Sequence, residues 1–261
     1  MSLIIQPRIN ATLTSAPVAV GNTPQRVLFV GPMIAGGTQV ASGTLVQNIG
    51  NEKQEDVNFG IKSQIASSIR AFKKINPLTS VDAIGIVDTG TSALFTITFT
   101  GSAATAAGVM TLDAGSVKNH RYTLAVAVGD TITNVRDALL ALVNADTRRL
   151  FQASAVGSTL VLSAVNAGAQ ANGLGVDLTG SIAGIVTTVI RTGTGATEPA
   201  TTNTLDVIGD QRYQAIVWGF TDVTAPVALL NTRFNIDNKI LDGVCFSGFV
   251  GNHASCLSLL G

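Results

Sequence analysis

Only two histidines, two cysteines and one tryptophan occur among the 261 residues, and charged side chains make up just 12% of them. Histidine titrates near neutral pH and does most of the proton transfer in enzymes, so a chain this poor in it argues against hydrolytic chemistry. Cys245 and Cys256 lack metal-ligand spacing and read as reduced thiols of a cytoplasmic product. The 16 Lys and Arg balance the 16 Asp and Glu to a formal net charge of +0. No basic stripe for a phosphate backbone is present, so direct nucleic-acid binding is not expected. No apolar run reaches the ~20 residues that cross a bilayer, and MSLIIQPRIN lacks the basic start and apolar core of a secretion signal. A typical soluble domain is roughly 25% charged. So few charges leave a surface poorly defended against association, which points to contacts with other subunits.

Residues 56–88, DVNFGIKSQIASSIRAFKKINPLTSVDAIGIVD, are the most informative stretch. Ile61, Ile65, Ile69 and Phe72 are spaced by four, four and three, and predict one helix with one apolar stripe. Asn76-Pro77 stops it, because proline disfavours helical geometry in the residue before it. The run at 81–87 is apolar without alternation, as in a strand buried on both faces of a parallel sheet. With the strand RVLFVG at 26–31, the order strand, helix, strand predicts an α/β layered core.

From about 89 to 195 the chain is rich in Thr, Ala, Gly and Val, with short alternating runs. Strands are expected at 94–100, 109–112, 121–128, 159–163 and 185–190. One helix interrupts them, with Asp130 or Thr131 as its cap and Val135, Leu139, Leu142 and Val143 as its buried stripe. Residues 193–204, GTGATEPATTNT, have linker composition. After them YQAIVW at 213–218 reads as a strand. Thr224-Ala225-Pro226 opens a helix with Val227, Leu230 and Phe234 facing inward, and GVCFSGFV at 243–250 reads as a further strand. The expected fold class is therefore an α/β core with a mixed or parallel sheet, interrupted by a β-rich (α+β) inserted domain. The expected boundaries are 1–20 for an N-terminal arm, 21–88 for the first part of the core, 89–202 for the insertion and 203–261 for the second part.

Sites of chemistry fail one by one. Gly31-Pro32-Met33-Ile34-Ala35-Gly36-Gly37-Thr38 has phosphate-loop spacing, but glycine stands where the lysine belongs and Pro32 removes an amide. Asp88, after an apolar strand, imitates a magnesium-binding acid but reads as a turn residue. His120 is expected in a polar turn. His253 with Cys245 or Cys256, and Asp242 as orienter, lacks any nucleophile elbow. The glycines at 168–184 read as tight turns, since the strand–GxGxxG–helix context is absent. Lys73-Lys74 and Arg148-Arg149 read as cations at helix C-termini. No catalytic, cofactor-binding or metal-ligating residue is expected, and no cofactor.

Near the start, Ile9, Asn10, Ala11, Thr12, Leu13 and Thr14 alternate apolar and polar between Pro7 and Pro17. A strand without a hairpin partner must find an edge, in its own sheet or a neighbour's.

The succession of these pieces resembles the tail sheath subunit of contractile-tailed phages of the Mu type. The resemblance runs through PQRVLFVG (24–31), Phe59-Gly60 with Ser63 and the helix through Phe72, Asn76-Pro77, and the strand to Asp88. It continues through TITFTGSAATAAGVMTL (96–112), YTLAVAVGDT (122–131), LLALVNADT (139–147) and DQRYQAIVWGFTD (210–222). It covers most of the chain in collinear order. It implies a virion protein with no active site, assembled in the host cytoplasm as stacked hexameric rings around a tail tube. Its partners would be further copies, the tail tube protein, and baseplate and tail terminator proteins. It also implies contraction by nearly rigid-body movement, an insertion on the outer surface, and terminal arms that add strands to neighbouring sheets. The segment from Ile9 to Thr14 matches the N-terminal arm in position.

Members of that family continue well past the point matching Leu259-Leu260-Gly261, so the resemblance implies the N-terminal portion of such a subunit. Two other classes fit parts of the pattern. A baseplate or decoration subunit would separate the segments before 88 and after 205 into two sheets. An α/β hydrolase would bring an acid, a base and a nucleophile together.

Overall fold

The computed structural model describes residues 25–34, 36–50, 53–115, 120–201, 203–209, 211–226, 228 and 244–247. They combine helices with three β-sheets, and strands predominate.

The first sheet is built from β1 (Arg26–Met33), β2 (Leu45–Val46), β3 (Ser80–Val87), β11 (Ala215–Trp218) and β12 (Val244–Ser247), in the order β12-β11-β1-β3-β2. β1 runs parallel to β3 on one side, pairing Val27 with Val81 and Val30 with Ile84. It runs parallel to β11 on the other, pairing Val27 with Ala215 and Val30 with Trp218. β12 is parallel to β11, and only the short β2 is antiparallel. The unalternating apolar runs are explained by two covers. Val27, Phe29, Val81 and Ala83 face helix α2 (Gln64–Ile75) through Ile65, Ala66 and Ile69. Leu28, Val30, Ile84 and Ile86 face the opposite way, into a cluster with Tyr213, Ile216, Trp218 and Phe220. Alternate side chains of each strand thus meet different apolar layers.

The helix expected to carry Ile61, Ile65, Ile69 and Phe72 starts only at Gln64, and a separate short helix precedes it. Helix α1 (Gln54–Phe59) ends at Gly60, whose φ of 87° is the left-handed geometry that glycine adopts without penalty. Ser63 then caps α2, its side chain accepting from the Ala66 amide at 3.2 Å. Ile61 lies in the turn between them and is exposed, while Ile65 and Ile69 are buried. The capping serine outweighed the periodicity. Phe72 packs edge-on to Phe29 at 5.5 Å. The turn is what lets Phe59 reach the sheet, where it is fully buried.

Two further sheets lie between β3 and β11 in sequence. One has the order β10-β4-β8-β7, from β4 (Leu94–Gly101), β7 (Phe151–Val156), β8 (Thr159–Ala164) and β10 (Ile185–Gly193). The other has the order β6-β5-β9, from β5 (Gly108–Ala114), β6 (His120–Val126) and β9 (Val176–Thr179). Helix α3 (Ile132–Ala145) packs with both around Phe95, Ile97, Phe99, Leu112, Leu139 and Leu160. Thr131, not Asp130, caps it by accepting from the Asn134 amide at 3.2 Å, whereas Asp130 accepts from the Ala127 amide at 2.7 Å. Val135, Leu139 and Val143 are buried as expected, but Leu142 is 37% exposed because it sits beside that stripe. The expected strands at 94–100, 109–112, 159–163 and 185–190 form, and β6 stops at Val126 before a turn at Val128-Gly129.

Strands β7 and β9 were not anticipated. Gln152, Ala153, Ser154 and Ala155 have weak strand preference, and β9 is four residues long. The glycine-rich stretch at 168–184 is correspondingly more than turns, since it holds a 3-10 helix (Ala169–Gly173) and β9. The helical turn at Thr224 is organised by Asp222, whose Oδ1 accepts from the Thr224 amide at 2.9 Å, and Pro226 falls in its first turn. Val227, Leu230 and Phe234 lie outside the described residues.

Candidate interaction surface and the groups that support it

The first sheet ends in β12, whose outer side meets no other strand among the described residues. A parallel edge strand leaves amides and carbonyls facing outward, ready to pair with an added strand. Phe246 stands on this strand 58% exposed. Cys245 is half-buried, and burial pushes its thiol up from its ordinary value, away from nucleophilic use. The proposed donor residues Ile9, Asn10, Ala11, Thr12, Leu13 and Thr14 lie outside the described residues, as do Asp242, His253 and Cys256.

The sheet behind this edge is tied by polar groups from distant parts of the sequence. Asp82 interrupts the apolar strand β3 and is fully buried. Its Oδ2 accepts from the Tyr213 hydroxyl at 2.8 Å and its Oδ1 from the Asn48 amide at 2.8 Å. Arg26 Nη2 lies 3.4 Å from Oδ2. A buried carboxylate this well supplied with donors is compensated for its lost hydration. Burial, then the bond to Asp82, pushes the Tyr213 phenol well above its ordinary value. The Gln214 side chain accepts from the Arg26 amide at 2.7 Å, fixing β11 to β1 a second time.

Glu198 does similar work at the return from the β-rich part. Its carboxylate accepts from the amides of Thr221 and Asp222 and from the Thr221 hydroxyl, at 2.7–3.1 Å. Trp218 Nε1 donates to the Asp222 carbonyl at 2.7 Å and so pins the same turn to β11.

The outgoing crossing is tied by Asn166. Its Oδ1 accepts from the Gln64 amide and its Nδ2 donates to the Lys62 carbonyl, both at 3.1 Å. Asp88 accepts from the Gln170 side chain and, at 2.9 Å, from the Gly90 amide, which is the turn geometry expected for it.

Catalytic groupings are the remaining question. Gly31, Pro32 and Met33 of the loop with phosphate-like spacing belong to strand β1 and pair with Gly85, Ile86 and Val87. His120 is the first residue of β6 and not a turn residue. Its Nδ1 lies 2.8 Å from Asp146 Oδ2, which also accepts from the Tyr122 hydroxyl at 3.0 Å. Burial would raise the Asp146 carboxyl, but bonds from His120, the Arg148 amide and Tyr122 outweigh it and hold it below its ordinary value. Lys73 is in the last turn of α2 as expected, and Arg149 donates to the Asn144 and Asp146 carbonyls at the end of α3.

Sequence reasoning passed over Asp82, Asn166 and Glu198. Asp82 carried a usable signal, because one carboxylate inside SVDAIGIV demands a buried partner. Asn166 and Glu198 sit among loop residues of similar polarity and carried none. No protein-family model matches the chain, and no curated protein matches it.

Proposed function

We propose that the chain is a structural subunit of a contractile tail sheath, located in the virion. In this reading residues 21–88 and 203–261 form one α/β core, and 89–202 form an inserted domain on the outside of the assembly. Residues 1–20 form an arm whose segment from Ile9 to Thr14 adds a strand to a neighbouring subunit. Subunits stack as hexameric rings around a tail tube protein, between baseplate and terminator proteins, and rearrange as nearly rigid bodies on contraction. The chain performs no catalysis and needs no cofactor.

The observation that carries the reading is the position of β1. It is flanked in parallel by β3 before the β-rich part and by β11 after it, and the two sides share one buried cluster. A subunit that moves as a rigid body needs such a core, because a loosely joined one would absorb the motion internally. The polar ties through Asp82, Asn166 and Glu198 support the same property at each crossing. The side of β12 that is unpaired among the described residues supplies an edge of the kind that strand exchange uses.

Negative-stain microscopy of the full-length product tests the proposal. Striated tubes, or rings around a tail tube, are expected. Dispersed monomers under conditions that assemble a known sheath would overturn it.

A further inference from the structure

An open cleft of about 400 Å3 lies between the end of α2, the start of α1 and the turn after α3. Among the described residues its walls carry Lys53, Arg70, Lys73, Lys74 and Arg148, with Glu55 as the carboxylate. Asp56 stands behind the arginines, bonded to Arg70 and 3.5 Å from Arg148 Nη2. Five cations thus stand against two carboxylates, Asp56 and Glu55, and Glu55 acts on both Arg70 and Lys73. The described walls therefore hold an excess of three positive charges. The half-charge at the C-terminus of α2 is too small to balance it.

The geometry holds Arg70, Arg148 and Lys73 in place. Lys73 is anchored by donating to the Thr79 carbonyl at 2.7 Å, which leaves its other two donors for a ligand. Burial lowers the affinity of Arg70 for its proton, and Arg148 adds to this against the pull of Asp56. Burial acts on Lys73 in the same direction, with Glu55 opposing it. Two partly dehydrated cations beside three exposed ones are relieved by an anion that pairs with several of them at once. Guanidinium forks and ammonium point charges together suit tetrahedral oxyanions, and the volume lies within the ~300–1,000 Å3 of small-ligand pockets.

We propose that this cleft binds a multiply charged phosphate-type oxyanion, of the size of pyrophosphate or a short polyphosphate. The proposal is independent of the sheath reading. Isothermal titration of the full chain at low ionic strength, with pyrophosphate, inorganic phosphate and citrate, tests it. Expected are saturable one-to-one binding of pyrophosphate and at least ~10-fold weaker binding in the double variant Lys73→Gln/Lys74→Gln. Lys62→Gln, outside the cleft, is expected to keep the parent affinity. Circular dichroism checks the fold of each variant. Should the double variant unfold, Lys74→Gln alone, at an exposed position, is expected to weaken binding at least ~3-fold. Absence of saturable heat with pyrophosphate, equal affinity in variants and parent, or citrate binding as tightly as pyrophosphate would each overturn the assignment.

Discussion

The hydroxyl of Tyr213 donates to Oδ2 of Asp82 across 2.8 Å, although 131 positions separate them in sequence. This bond links the strand that leaves the first sheet to the segment that re-enters it. Removing the hydroxyl takes one donor from a buried carboxylate, and removing Asp82 leaves the hydroxyl to Gln211 Oε1 at 2.9 Å. Tyr213→Phe is expected to cost about 1–3 kcal/mol, and Asp82→Ala about 3 kcal/mol or more, because it orphans the Asn48 amide as well. Urea unfolding measures both. A loss below ~0.5 kcal/mol for Asp82→Ala would remove this pair from the account of how the crossings are held.

Alkaline pH acts on the same bond. Burial, assisted by Asp82 and Asp146, raises the phenols of Tyr213 and Tyr122 above their ordinary value of 10.0. Above that pH the unfolded chain binds fewer protons than the folded one, so stability falls as pH rises. Below it their contribution is complete. Urea midpoints are expected to hold from pH 8 to about 9 and to decline as pH passes 10, with the Tyr122→Phe/Tyr213→Phe variant declining less steeply there.

Gly85 leaves the space that Phe59 and Met33 occupy. A Cβ there would stand 2.6 Å from Phe59 Cδ1 and 2.7 Å from Met33 Sδ, and both side chains are buried. Gly85→Ala is expected to destabilise by about 1–3 kcal/mol through overpacking. Thermal melting gives the readout, and an unchanged midpoint would mean that the packing of α1 yields freely.

Asn166 ties the β-rich part to the start of α2. Asn166→Ala removes two bonds from a buried side chain and is expected to cost about 1–3 kcal/mol. Hydrogen exchange should locate the effect, with faster exchange of the Gln64 amide and little change in β5 and β6. Uniform acceleration across all three sheets would contradict a local tie.

The arm is tested by proline. Thr12→Pro deletes a donor and fixes the backbone in a segment proposed to pair as a strand. Assembly, followed by light scattering and microscopy, is expected to fail while the melting temperature of the unassembled chain is unchanged. Normal assembly would rule out strand exchange through this segment.

Much of the first sheet was legible because parallel strands buried on both faces leave uninterrupted apolar runs, as in 81–87. Their neighbours were not, since nothing local in RVLFVG states that Trp218 pairs with Val30. The start of α2 at Gln64 was hidden because Ile61, in the turn before it, stands four residues ahead of Ile65 and so in phase with the stripe. Ser63 was the competing signal, and a cap fixes a helix start more firmly than a stripe. In the β-rich part Leu94 to Gly101 announced itself by alternating Thr with Ile and Phe, whereas β7 offered Ala and Ser. The proposed interaction surface was legible only as a need: an unpaired strand wants an edge, and sheet order shows which edge is open among the described residues. The cationic cleft was missed for a simpler reason. Lys73-Lys74 and Arg148 were weighed as separate pairs, and only the folded chain brings them to one opening.

The order of strands also sets a problem for the ribosome. β1 and β3 can join as soon as both emerge, but the other flank of β1 must wait for Ala215 to Trp218. At ~5–20 residues per second, the 131 positions between Asp82 and Tyr213 take about 7–26 s to synthesise. Throughout that time the nascent chain displays one naked apolar flank, with Leu28 and Val30 uncovered on their Tyr213 side. Translation speed and chaperone supply thereby become determinants of yield, and slower elongation through the β-rich part should favour aggregates over native product.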